Sequence, residues 1–415
     1  MKINSTVLAF GVLLGAGAIV GAYQLGQQGG ESEPAKAEVT ESSSSHAAMP
    51  PSDGQPQRNV DLFPQGQPAD GGPRFSHFRV GNRNVKSMFA DGKYVWVGTS
   101  GGVIRYDTDV DDYQLFNNKN SGLLSNGIFH VSRLGERMVI GTYGGGLALF
   151  TPETNKWQTI NIPHGLADQF VYDVIEASNG DVWIATWSGA NRVRNGEFDN
   201  PNAWDTYTVE NTNGGLPNPW VYAVDEGLNG DIWMATEGGL ARFNSGQWTN
   251  WGHDEGLGAP YEVVKEAIQF KSDPGKASMH HRRQKEEQGL QDVNSAYNPN
   301  YVISMAVEEN GTIWAGTWGA GLSRFDGKAW KTYTTSDGLP ANHIFMLYLD
   351  TQGELWIGTS KGLVHFDQQS GSFDIKTVAN GLYADNVFSM ANGRDNSLWI
   401  GSFGGVAHIE HGWGK

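Results

Sequence analysis

Residues 301–333 read YVISMAVEENGTIWAGTWGAGLSRFDGKAWKTY, and this stretch decides the fold. It opens with apolar Tyr301-Val302-Ile303-Ser304-Met305, turns at Asn310-Gly311 and continues as Ile313-Trp314-Ala315-Gly316-Thr317. Asn-Gly between two apolar runs is a hairpin signal, because both residues accept positive φ. Gly319 to Gly321 make a second turn, Leu322 to Phe325 a third strand, Asp326-Gly327 a third turn, and Ala329 to Tyr333 a fourth strand. Four short strands joined by tight turns make one small antiparallel sheet.

The unit recurs. Its Gly-Thr pair, or an Ala-Thr or Gly-Ser variant, begins at Gly98, Gly141, Ala185, Ala235, Gly316, Gly358 and Gly401. The spacings are 43, 44, 50, 81, 42 and 43 residues. A period of this size is that of a propeller blade. The expected fold is therefore all-β, a seven-bladed β-propeller with four-stranded blades over residues 73–415. Small residues at the repeated position let neighbouring sheets approach, and the Trp beside it fills the space between them. The seventh unit runs out after Val406 to Ile409 without a fourth strand, whereas Arg74 to Val80 precedes the first unit as a stray strand. The N-terminal strand is expected to complete the last blade, which closes the ring and removes both sheet edges.

The rest of the composition agrees. The chain has 56 Gly, 15 Trp and no Cys, so disulfides and thiolate metal sites are excluded. A net charge of −16 argues against nucleic-acid binding, which needs a basic footprint. Residues 1–27 carry Lys2 and then an uncharged run from Val7 to Ala22. That run suits a signal peptide, with Val20 and Ala22 at the small-residue positions of a cleavage site, or a marginal membrane anchor. Both readings export the remainder. Residues 28–72, rich in Ser, Pro, Gly and Gln, read as a disordered linker.

Gly338-Leu339-Pro340-Ala341-Asn342, an apolar strand, Leu355-Trp356-Ile357-Gly358-Thr359 and then Gly362-Leu363-Val364-His365-Phe366-Asp367 resemble the two-component regulator propeller repeat. The resemblance extends over roughly residues 73–415. It implies a bacterial periplasmic, sensor-type propeller, either anchored to the inner membrane or released from it. Many members of that family sense oligosaccharides and precede a kinase. No kinase pattern follows the last blade here, so the expected partner is a small-molecule or oligosaccharide ligand, or a separate periplasmic or membrane protein.

The loops before each first strand and after each second strand share one face. The residues just before the first strands include Phe170, Trp220, Tyr301 and His343; those after the Gly-Thr pairs include Tyr143, Trp187, Glu237, Trp318 and Phe403. A concave mouth lined by aromatics with a few polar groups is the expected ligand site. The spacing of 81 marks an insertion at about 258–299 on the same face, with a short amphipathic helix expected over 261–270. Such an insertion reads either as a lid or as a solvated excursion. Its string Met279-His280-His281 offers ligands to a soft or borderline cation such as copper, the alternative reading being a metal-handling accessory protein. Otherwise no cofactor is expected. Nucleophile elbow, His-Glu-x-x-His and phosphate-loop motifs are missing, so the chain is expected not to be an enzyme. A lyase or hydrolase using His343, with Glu237 as acid or base, is the remaining alternative.

Overall fold

The computed structural model describes residues 75–413; the segments 1–27 and 28–72 read above as leader or anchor and as linker lie outside them. Among the described residues no helix is long and apolar enough to cross a membrane. The strands form five antiparallel sheets of four and one of six. The unit at 301–333 folds much as its sequence reads, with strands Asn298–Val307, Ile313–Trp318, Leu322–Phe325 and Trp330–Tyr333.

The six-stranded sheet holds the closure. Its order is Val387–Asn392, Leu398–Ile409, Phe75–Asp91, Tyr94–Thr99, Gly102–Asp107 and Asp112–Phe116. Phe75–Asp91 is one long strand with two partners. Its first half pairs Phe75 with Ile409 through Arg79 with Gly405, and its second half pairs Ser87 with Gly98 through Asp91 with Tyr94. Divided at that change of partner, the strands fall into seven blades, and the N-terminal strand completes the blade that begins at Val387. The innermost strands run in a closed circle. The second half of Phe75–Asp91 is followed by Ile128–Leu134, Val171–Glu176, Val221–Glu226, Asn298–Val307, Ile344–Leu349 and Val387–Asn392, which returns to Phe75–Asp91.

The core lies between blades. Trp96, Trp183, Trp233, Trp314, Trp356 and Trp399 occupy the same place in six second strands, and each is buried. Trp183, for example, packs with Leu216, Val221, Val224 and Met234 of the next blade. At the closure, Trp399 packs with Val85, Met88, Val95 and Val97 of the first. The small residue of the Gly-Thr pair marks where the next inner strand comes closest: a Cβ on Gly98 would sit 2.8 Å from Ile128, and one on Gly401 2.5 Å from Val85. The Thr is internal. Thr99 Oγ1 donates to the Gly102 carbonyl at 2.9 Å and accepts from the Gly101 N–H at 3.0 Å, so it ties the following turn.

Candidate functional site

Every innermost strand breaks its pairing register just after the residue that pairs with the Thr, or Ser, of the Gly-Thr pair. The shifts fall between Val85 and Ser87, Ile128 and His130, Val221 and Ala223, Val302 and Ser304, Ile344 and Met346, and Val387 and Ser389; in the third blade Val171 and Asp173 flank the same break. A bulge leaves its extra residue unpaired and re-aims its side chain. The seven residues so released are Lys86, Phe129, Tyr172, Tyr222, Ile303, Phe345 and Phe388. All seven line one cavity of about 250 Å³ at the centre of the ring, near the start of the inner strands and thus near the mouth.

The walls of this cavity are aromatic. Phe129 and Tyr172 lie 4.8 Å apart between ring centres, Tyr172 and Tyr222 5.0 Å, Tyr222 and Tyr301 5.0 Å, and Phe345 and Phe388 5.2 Å. Lys86 Nζ sits 4.1 Å above the Phe129 ring. Desolvation pulls the Lys86 ammonium down to a pKa of about 7. Burial drives the Tyr172 and Tyr222 hydroxyls well above the usual phenol range, so both stay protonated. Tyr172 Oη is buried and has no hydrogen-bond partner. Ser87, His130 and Asp173 complete the polar lining; Asp173 pairs with His130 Nδ1 at 2.9 Å and accepts from the Val224 N–H of the next blade at 3.0 Å.

Beside the cavity, the insertion is folded and packed. Short helices form at Tyr261–Val264 and Pro274–Ala277, and a longer one at Met279–Glu287. Val264 and Tyr297 are buried in a cluster with Ala259 and Ala320. Lys285, also buried, reaches Asp273 Oδ2 at 3.1 Å and the Val293 carbonyl at 2.8 Å. The reading of this segment as a solvated excursion is thus corrected, because its few apolar residues and one buried ion pair seat it on the propeller.

The helix Met279–Glu287 reaches the residues that the sequence singled out. His280 stacks on Trp220 at 3.7 Å with planes 17° apart, and His281 Nδ1 meets Glu237 Oε1 at 2.6 Å. His280 Nε2 lies 3.8 Å from Glu237 Oε2, and burial lowers the His280 pKa. Phe270 covers Trp318 and His343 at 5.6 and 4.9 Å. Trp220, Tyr301, Trp318, His343 and Glu237 are consequently all buried under the insertion. The candidate acid–base residue His343 is held to a pKa of about 4 by burial, and its Nε2 is 2.8 Å from the Ala296 carbonyl. It is a neutral structural donor rather than a group at an open mouth. Tyr143, Phe170 and Trp187 continue the aromatic chain at spacings of 4.6 and 4.8 Å, and Trp187 meets Trp220 at 4.2 Å. Phe403 is exposed. Met279 is 83% exposed and does not join the two histidines, and among the described residues no three His, Asp or Glu side chains gather as a metal site.

A larger cleft, about 1420 Å³, lies between the third and fourth blades on the side of the turns at 178–180 and 227–230. Several of its polar groups are committed. Arg192 pairs with Asp181 at 2.6 Å, and Glu226 accepts from the Ser178 N–H and hydroxyl at 2.7 and 2.6 Å. The smaller channel, with a cation and an unsatisfied hydroxyl, has more to offer a ligand.

The comparisons agree with this architecture. A family model described as two component regulator propeller matches residues 165–188 and 338–361. The extracellular domain of a protein described as a hybrid two component system of B. thetaiotaomicron superposes with a TM-score of 0.59 at 18% identity, over 80% of this chain and 40% of that one. The chain therefore spans about two fifths of that solved chain. Streptogramin B lyase superposes at 0.55 with 10% identity, over 82% of this chain and 98% of that chain. The WD40 β-propeller domain of Doa1 gives 0.53 at 12% identity, over 81% and 95%. No curated protein matches. At these identities the structural likenesses establish the fold alone, and functions differ widely on it. Fold and repeat together make the chain a β-propeller, two of whose repeats match the two component regulator propeller model.

Proposed function

We propose that the chain is a non-enzymatic, sensor-type binding propeller of the bacterial periplasm, which takes a small molecule in its central channel and reports it to a separate membrane protein. The observation that carries this reading is the bulge ring: seven blades each release one side chain, and together they enclose about 250 Å³ with aromatic walls. A structural core has no need of an aromatic-lined space holding a cation and an unsatisfied hydroxyl. Instead, these are the features of a small-ligand pocket, somewhat below the usual size range of about 300–1,000 Å³. The insertion, pinned beside the channel through His281 and Glu237, is in place to act as its lid. The extracellular setting of the B. thetaiotaomicron domain and the repeat itself favour the sensor reading over the lyase reading. So does the burial of His343.

A thermal-shift screen of metabolites tests this. A ligand at a hundred times its Kd stabilises the folded state by about 2.7 kcal/mol. The stabilisation should vanish in Tyr222→Ala and survive in Trp248→Ala, which lines only the cleft between blades. The opposite pattern would remove the channel as the site.

A further inference from the structure

Apart from the channel, we infer that Trp220, Tyr301 and Glu237 form a second binding site, for a planar organic cation of imidazolium or guanidinium type, and that His280 and His281 of the insertion occupy it as an intramolecular stand-in. The three residues come from two neighbouring blades: Trp220 precedes one innermost strand, Tyr301 lies on the next, and Glu237 follows the strand Ile232–Thr236. Their geometry is that of an aromatic cage with one acid. His280 lies flat on Trp220, 3.7 Å between ring centres with planes 17° apart. His281 meets the same Trp edge-on at 4.7 Å and lies nearly parallel to Tyr301 at 5.8 Å, with planes 18° apart. Aromatic faces set around an acid in this way hold flat nitrogenous cations, because the negative face of each ring attracts positive charge. The site adjoins the channel, with Tyr222 and Tyr301 as shared walls, and does not depend on the channel holding a ligand.

The acid decides the ligand's charge. Glu237 is 1% exposed, and its oxygens meet His281 Nδ1 at 2.6 Å, the Tyr222 hydroxyl at 3.5 Å and His280 Nε2 at 3.8 Å. Among the described residues it pairs with no Lys or Arg, although a buried carboxylate is costly unless a cation pairs with it. Burial lowers the His280 pKa, so the ring stacked on Trp220 is neutral at pH 7. Its Nε2 is buried and makes no hydrogen bond. A guanidinium stays charged, stacks on an aromatic face and brings several N–H donors to one carboxylate, which is more than the stacked imidazole supplies. The stand-in is also placed to leave. The helix Met279–Glu287 is tied to the blades by His280, His281 and, just beyond it, Gln288, whereas its Arg282 and Lys285 bond within the insertion. The His280 side chain is 33% exposed, so one edge of the site faces solvent. A cation entering there displaces the two histidines and frees the helix, which converts binding into release of the insertion.

The experiment is isothermal titration of the full chain with methylguanidinium and 4-methylimidazole, beside the neutral isosteres methylurea and 4-methylpyrazole, at about pH 6, where the free imidazole is largely protonated. In the double variant His280→Ala, His281→Ala, at least one cation should bind about tenfold or more tighter than its isostere, and tighter by a similar factor than it binds the parent, where it must displace the stand-in. Adding Glu237→Gln should remove the preference, with circular dichroism showing the blades intact. Isosteres that bind the double variant as well as the cations do, a preference that survives Glu237→Gln, or a panel in which no cation binds overturns the inference. Where the double variant does not fold, the parent carries the test through limited proteolysis. Cleavage within 258–299 that rises with methylguanidinium and not with methylurea supports the stand-in, and cleavage that responds to neither, or to both alike, overturns it.

Discussion

Replacing Phe78 by Ala tests the closure of the ring, because Phe78 lies on the strand that must come from the N-terminal end if the last blade is to have four strands. Its backbone pairs with Val406, its ring stacks on Trp399 at 5.5 Å, and it lies 5.0 Å from Tyr106. The sixth blade supplies an internal standard. Phe373 there pairs with Phe366 on a fourth strand that follows its own third strand in sequence, and stacks on it at 4.9 Å. Removing a fully buried Phe side chain costs about 3–5 kcal/mol. Both rings are only partly buried, so about 2 kcal/mol is expected for each. Urea unfolding followed by tryptophan fluorescence would read the loss as a lower midpoint at unchanged slope. The account requires Phe78→Ala and Phe373→Ala to agree within about 1 kcal/mol. A Phe78→Ala variant as stable as the parent, with Phe373→Ala destabilised, would refute the closure, since the N-terminal strand would then be packed on the ring without belonging to it.

Three further outcomes follow from buried groups. Burial holds His343 and His408 at pKa values of about 4 and Asp225 at about 7. Between about pH 4 and 6.5 each histidine binds a proton only when unfolded, which makes stability rise as pH rises, while Asp225 binds one only when folded and opposes this. These three groups together contribute a positive slope of about 1.4 kcal/mol per pH unit, and Asp225→Asn should steepen the measured slope by about the same amount in melts taken across that window. Lys86, lowered to about 7, penalises the folded state wherever the unfolded lysine is protonated. Lys86→Met should therefore raise stability by roughly 2 kcal/mol at pH 7, allowing for partial exposure, with the gain fading as pH rises from 7 toward 10.5. His281→Ala leaves the buried Glu237 carboxylate without its 2.6 Å partner, at a cost of about 2 kcal/mol. Limited proteolysis should then cut within 258–299 before the blades; an unchanged cleavage pattern would show that other contacts hold the insertion.

Much of the fold was legible because a propeller repeats one local rule. The Trp and the small residue after it sit where a neighbouring blade packs, so their period reports the blades directly, and the leftover strand at 75–80 reports the closure. The site was only half legible. Alternation along a strand puts residues two apart on the same face, so Phe170, Trp220 and His343 pointed toward Tyr172, Tyr222 and Phe345 without naming them. What the sequence reading missed was the bulge, a matter of pairing between strands that no single strand displays. Lys86 is the case in point: read alone it is one lysine at the start of an apolar run, and only the ring of bulges makes it the cation of the channel. The insertion was misread for a related reason. Its seat depends on His280 and His281 finding Trp220 and Glu237, side chains more than 40 residues away in sequence, and its own apolar content is too small to announce a packed segment.

The central claim, that the channel is the binding site, is tested most directly by a crystal structure of the chain with whichever compound stabilises it most in the thermal-shift screen. The account predicts density inside the ring, against Phe129, Tyr172 and Tyr222 and within reach of Lys86. Density in the cleft lined by Trp183 and Trp248, or on the outer surface of the helix Met279–Glu287, with the channel unchanged, would contradict it.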